Sequence, residues 1–205
     1  MIFKEWDSIP RLTKECIITE KLDGTNAQIF IAPQEKCYFP EGTESGVAFK
    51  FFEDYTIAKK DNLLMFVGSR NRWLKRGDDN FGFAFWVEQN SEELFKLGEG
   101  YHYGEWVGKG IQRNYGLQEK RFYLFNVKRW ADDTIRPACC YVVPVLYSGI
   151  FTTEAVDQTL AQLKEHGSYI IPFMNPEGVV VYHKAGNCFF KKTFEDAHKG
   201  EKNAN

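Results

Sequence analysis

The run Lys21-Leu22-Asp23-Gly24-Thr25-Asn26 sets a primary amine at the end of an apolar segment, with an acid and a glycine directly behind it. A lysine followed by Asp-Gly in this setting is the form expected of a covalent nucleotidyl-transfer site, with Lys21 as the nucleophile. An ordinary lysine, with a pKa of about 10.4, is protonated at neutral pH and cannot attack phosphorus. Partial burial and nearby cations would each favour the neutral amine. Taken alone, the six residues fit an exposed lysine on a hairpin equally well, because Asp-Gly is also a strong turn dipeptide. The residues downstream decide between these readings.

Four further segments supply complementary chemistry. In Val67-Gly68-Ser69-Arg70-Asn71 a strand runs into a turn ending on a guanidinium, which could bind phosphate bidentately. Tyr103-Gly104-Glu105-Trp106 sets an acid within an aromatic strand, where Glu105 could grip ribose hydroxyls and Gly104 leaves room for backbone or ligand. Phe122 to Val127 reads as a strand whose alternation places Tyr123 and Phe125 on one side, a flat face for a purine or part of a core. Finally, Glu177 leads into Gly178-Val179-Val180-Val181, and Phe189-Phe190-Lys191-Lys192-Thr193 ends in paired lysines. Two local basic runs, Arg70 to Arg76 and Lys120 to Arg129, are candidates for nucleic-acid phosphate, with Arg70, Arg72, Lys75 and Arg76 the leading set.

The elements that must position these groups are mostly strands. Cys16 to Glu20 and Ala27 to Ile31 flank the lysine run, and further strands are expected at Met65 to Val67, Tyr101 to Tyr103, Tyr141 to Val143, Val179 to Tyr182 and Cys188 to Phe190. One helix follows the cap Thr152-Thr153-Glu154, aligns Val156, Leu160 and Leu163, and stops at Gly167; a second is expected from Ala84 to Leu97. Helices segregated among antiparallel strands predict an α+β domain. The polar residues Lys199 to Asn205 are expected to fray.

With 205 residues, 43% of them hydrophobic, the chain can bury a substantial core, as one large domain or two small ones. The formal net charge of -2 excludes binding nucleic acid through overall basicity. Five cysteines without Cys-x-x-Cys spacing predict reduced thiols and no structural zinc. No apolar stretch is long enough to span a bilayer, so a cytoplasmic protein without a membrane partner is expected. His102, His166, His183 and His198 lie in no motif and read as structural. Trp86, Trp106 and Trp130 read as core, whereas Trp73 sits within the basic run.

In this order, lysine, arginine, glutamate, aromatic, glutamate and lysine resemble the motifs of the ATP-dependent covalent nucleotidyltransferases: RNA ligases, DNA ligases and mRNA capping enzymes. Gly104-Glu105-Trp106-Val107-Gly108-Lys109-Gly110-Ile111-Gln112 and the Lys21 run are most similar to the RNA ligase 2 type. The resemblance spans Lys21 to Thr193. It implies a nucleotidyltransferase fold with a nucleotide pocket between antiparallel sheets, ATP and Mg²⁺ (or Mn²⁺) as cofactors, and RNA or nicked nucleic-acid ends as partners. Lys21 would form a lysyl-AMP, pass AMP to a 5′-phosphate and allow a 3′-hydroxyl to seal the strand. The implied nucleotide set is Glu20, Lys21, Asn26, Arg70, Glu105, Phe125, Glu177, Lys191 and Lys192. Glu105 would hold ribose, Phe125 would stack on adenine, the backbone near Glu20 would read its edge, and Lys191 would meet the α-phosphate. Glu177 and Asp23 would place the metal, Asp23 through water. A DNA nick ligase and a non-turnover nucleotide or RNA-end sensor are the alternatives.

Three departures from the family pattern stand out. Asn126 replaces the common Asp, Lys191 and Lys192 are adjacent rather than spaced by one residue, and the chain ends soon afterwards. The expectation is therefore a single adenylyltransferase domain over residues 1–205, without an OB domain or a C-terminal helical domain, acting as a monomer.

Overall fold

The computed structural model describes residues 2, 5, 8–37 and 53–195. His198 and the tail from Lys199 to Asn205 lie outside the described residues. The chain packs as two compact units, Met1–Leu22 with Pro144–Asn205, and Asp23–Val143.

The first unit is a four-stranded antiparallel sheet carrying one helix. Strands β1 (Glu15–Lys21), β9 (Val145–Ile150), β10 (Gly178–His183) and β11 (Cys188–Thr193) are ordered β11-β10-β1-β9. The β-branched alternation of β1 and β10 sends Cys16, Ile18, Val179 and Val181 to one face. There they meet Val156, Leu160 and Leu163 of helix α4 (Thr153–His166), each fully buried side chain stabilising the unit by about 1.5–3 kcal/mol. This helix begins and ends where its caps require. The Thr152 hydroxyl accepts the Ala155 N–H at 3.0 Å, and Gly167 follows with φ 83°.

The second unit is a larger sheet. Strands β2 (Thr25–Pro33), β3 (Ala58–Lys60), β4 (Leu63–Gly68), β6 (Gly100–Gly108), β7 (Lys120–Leu124) and β8 (Cys140–Val142) run in the order β3-β4-β2-β6-β7-β8, and β5 (Trp73–Leu74) pairs with β4. Every pairing is antiparallel except β7 with β8. One face carries Ala27, Ile29, Ile31, Met65, Val67, Trp106 and Phe122 into a core closed by Phe83, Val87 and Leu94. The opposite face is set by the same alternation. Asn26 lies beside Glu105, Gln28 beside Tyr103, and Phe30 beside Tyr101. The fold class is α+β, as expected.

Two expected elements are shorter than the sequence suggests. Instead of one helix from Ala84 to Leu97 there are α1 (Phe83–Gln89), α2 (Ser91–Leu94) and a 3-10 turn at Phe95–Leu97. The break falls at Asn90, whose side chain donates to the Trp86 carbonyl at 2.8 Å and competes with the helix ladder. Likewise the strand expected from Phe122 to Val127 stops at Leu124, because Asn126 accepts the Arg129 N–H at 3.1 Å and caps helix α3 (Val127–Trp130). Asn and Asp cap equally well, which gives Asn126 a role that the common Asp would also fill.

Candidate active site

Lys21 is the last residue of β1, and β1 pairs with β9 and β10 while β2 pairs with β4 and β6. The two strands flanking the lysine run therefore belong to different sheets, and the run is not a hairpin. Lys21 faces Gly178 across the ladder, which brings Glu177 beside it: Lys21 Nζ donates to Glu177 Oε2 at 2.5 Å. Both side chains are about four-fifths buried, so this ion pair is screened less than a surface one. Gly178 adopts φ 152°, and a Cβ there would collide with the Lys192 carbonyl oxygen.

The register of β11 separates the two adjacent lysines. Lys191 pairs with Val180, which pairs with Thr19, and Thr19 shares a face with Lys21. Lys192 lies on the other face and forms an ion pair with Asp157 of α4. Glu20 also points away from Lys21. It is 1% exposed, accepting the Ser168 hydroxyl at 2.6 Å and the Tyr169 N–H at 2.8 Å. Burial pushes its carboxyl above the usual range, against these hydrogen bonds and the nearby His166. The Glu20 backbone N–H is bound to the Pro144 carbonyl at 2.9 Å.

In the second unit, Glu105 and Asn26 form a pair that also holds the residues after the lysine. Glu105 Oε2 accepts Asn26 Nδ2 at 2.9 Å, and Oε1 accepts the Gly24 N–H at 3.2 Å. Only glycine fits at position 24, since a Cβ would lie 2.5 Å from Val107 Cγ1 and collide with the Trp106 carbonyl oxygen. The space at Gly104 is likewise taken by protein, by Phe122 and the Tyr123 backbone. Asp23 is anchored twice: its N–H donates to the Tyr115 hydroxyl at 2.8 Å, and its carboxylate is 3.1 Å from Arg113 Nε. That second contact is a charge pair rather than an aligned hydrogen bond, because the Arg113 Nε–H is not directed at the carboxylate. Phe125 sits one residue beyond β7, 42% exposed, with its N–H on the Tyr103 carbonyl at 3.0 Å. Its ring is no longer governed by strand alternation with Tyr123, which is buried against Tyr141.

The basic run divides. Arg72 makes a two-pronged pair with Asp78 at 2.9 and 3.1 Å. Arg76 bonds Glu88 at 2.7 Å and the Ile57 carbonyl at 2.6 Å, and Lys75 lies over the Tyr55 ring at 5.9 Å. Arg70 is exposed and has no ion-pair partner among the described residues. Trp73 packs against Phe30 and Phe66. Among the described residues no three His, Cys, Asp or Glu side chains cluster tightly enough to form a metal site.

Tyr115 and Arg113 were not legible as anchors of Asp23. Their signal was the turn-rich segment Gly108 to Gly116, where Gln112, Asn114 and Tyr115 all adopt positive φ. His102 and His183 bond backbone carbonyls of Gly98 and Leu12 at 2.9 and 2.7 Å, structural roles as expected. No helix among the described residues is long and apolar enough to cross a membrane.

Residues 14–194 match the family model described as RNA ligase. No curated protein matches the chain in sequence. Among solved structures, the chain is similar to Naegleria gruberi RNA ligase in several forms. A Lys-to-Ala mutant with ATP and Mn is 20% identical, with a TM-score of 0.57 over 93% of this chain and 52% of that one. An apo Lys-to-Ala mutant of the R4a ligase is 21% identical with a TM-score of 0.58, covering 92% and 52%. A Glu-to-Ala mutant with AMP and Mn is 18% identical with a TM-score of 0.59, again covering 92% and 52%. At these identities the likeness is one of fold, and the chain spans about half the length of the structures it matches.

Proposed function

The chain belongs to the RNA ligase family, and from that premise we propose that it is an ATP-dependent RNA ligase working through a lysyl-AMP at Lys21. The observation that carries this reading is Lys21 at a strand end, mostly buried and held 2.5 Å from Glu177. In the first step Lys21 Nζ forms a bond to the ATP α-phosphorus while the bond from that phosphorus to pyrophosphate breaks. The ammonium must lose a proton for this, and Glu177 is the acceptor within hydrogen-bond reach. AMP then passes to an RNA 5′-phosphate, and a 3′-hydroxyl displaces AMP to close the phosphodiester.

The other side chains orient and bind. Register puts Lys191 rather than Lys192 on the face of Lys21, which favours Lys191 as the cation for the α-phosphate. Glu105 already accepts from Gly24 and Asn26, and a carboxylate with about four acceptor sites can also take a ribose hydroxyl. Phe125 offers a partly exposed ring for adenine, and Arg70 an exposed guanidinium for phosphate. Glu177 and Asp23 are the acids that would meet a Mg²⁺ or Mn²⁺ carried by ATP. When bound, that ion neutralises phosphate charge, the dominant need in phosphoryl transfer.

The test is incubation with radiolabelled ATP and Mg²⁺, followed by denaturing electrophoresis. The wild-type chain should carry label and Lys21→Ala none. Absence of a covalent label under ATP, GTP and NAD would support the sensor alternative instead. Preference for sealing an all-DNA nick over one with an RNA 3′-hydroxyl strand would promote the DNA-ligase alternative.

A further inference from the structure

The face of the second unit that carries Asn26 and Glu105 does not end there. Moving along β2 and β6, the next pair on this face is Gln28 with Tyr103, and the next is Phe30 with Tyr101. Three rings result in near-parallel sequence. Phe30 and Tyr101 have centroids 4.3 Å apart at 21°, and Tyr101 and Tyr103 5.8 Å apart at 5°. Core aromatics would be covered, yet Tyr101 is 50% and Tyr103 53% exposed. At the Tyr103 end the backbone N–H of Phe125 bonds the Tyr103 carbonyl. On the other side of the row, Gln28 Nε2 donates to the Ser69 carbonyl at 3.0 Å, which fixes the turn bearing Arg70 beside the aromatic face.

We propose that Tyr101 and Tyr103, backed by Phe30, form a stacking platform for bases of single-stranded RNA, with Arg70 taking a phosphate of the same strand. Every base has a π-face, so flat rings held parallel on a rigid strand accept a run of bases without reading sequence. The occupant follows from chemistry and place. A half-exposed aromatic row flanked by a guanidinium with no ion-pair partner among the described residues complements a strand that is aromatic on its bases and anionic on its backbone. The row also shares its face with Glu105 and Asn26, where this reading, which rests on the proposed ligase function, places the nucleotide. A platform there would supply a local hold on RNA in a chain whose net charge of -2 gives no general attraction for nucleic acid.

The experiment uses the full chain and a short fluorescein-labelled single-stranded RNA, read by fluorescence anisotropy, alongside self-labelling with radiolabelled ATP. Tyr101→Ala with Tyr103→Ala should weaken RNA binding about tenfold for each base that no longer stacks, Tyr101→Phe with Tyr103→Phe should bind like the wild type, and self-labelling should be unchanged in both. Melting temperature is followed in each, and Tyr103→Ala alone serves as the second variant if the pair lowers it. RNA affinity unchanged in the Ala pair, no RNA binding by the wild type, or a Phe pair as weak as the Ala pair would each overturn the platform. So would a dimer that dissociates in the Ala pair, since the face would then be a protein interface. A wild-type chain that binds RNA through the tyrosines but takes no label would uphold the platform while removing the ligase reading.

Discussion

Lys21 Nζ and Glu177 Oε2 stand 2.5 Å apart because the β1–β10 register places Lys21 against Gly178, the residue next to Glu177. One ladder position thus sets the distance between the proposed nucleophile and the carboxylate that can take its proton. Glu177→Gln keeps the shape and removes the charge. It should slow formation of the lysyl adduct by about a hundredfold, whereas Lys21→Ala should abolish it; a quenched time course of labelling distinguishes the two. An unchanged rate in Glu177→Gln would take the carboxylate out of the chemistry.

Phe125 should matter through its ring face alone. Phe125→Ala is expected to raise the ATP concentration needed for half-maximal labelling about tenfold, while Phe125→Tyr and Phe125→Trp retain a π-face and should stay near the wild type. An unchanged ATP dependence in Phe125→Ala would move adenine elsewhere.

Glu20 predicts a pH dependence of stability. Burial raises its carboxyl in the folded state, so the native protein holds this proton more tightly than the unfolded chain does. The contribution is fully present below the unfolded carboxylate range and is lost as pH rises through the higher folded value. Glu20→Gln should therefore gain stability relative to the wild type as pH rises through the carboxylate range towards neutrality, with its amide donating to Ser168 and its carbonyl accepting from Tyr169. Urea midpoints of the two proteins that stay parallel across this range would contradict the assignment.

The basic run should split by function. Arg70→Ala should lower the dependence of log affinity for RNA on log salt by about one. Arg76→Ala should leave that slope alone and cost about 1–2 kcal/mol of stability, since Arg76 ties the Ile57 carbonyl to Glu88. Salt titrations of RNA binding with parallel melting curves test both halves, and an equal drop in slope for Arg76→Ala would restore a continuous patch.

Local signals in the sequence were sufficient for α4, whose cap, apolar spacing and terminal glycine all agree, and for Lys21 at a strand end. They failed where a side chain bonded its own backbone: Asn90 split the expected second helix, and Asn126 stopped the β7 strand before Phe125. Pairing between distant strands was illegible as well. Asp23-Gly24 has the composition of a turn, yet Gly24 is glycine because the Trp106 carbonyl and the Val107 side chain, far along the chain, press against it. The same non-local packing made Arg113 and Tyr115 the anchors of Asp23.

The pleat of β11 gives the dipeptide Lys191-Lys192 two unrelated electrostatic environments, one on the side of Lys21 and one latched to Asp157 of the helix. Amine-reactive probes and lysine acetylation act on residues of one type, and peptide mapping commonly reports neighbours as one site. Here a single mass shift on this pair would merge two events with separate consequences, charge removed from the sheet face that carries the proposed nucleophile and a strand released from its helix. Site-resolved fragmentation between the two lysines is what would tell them apart.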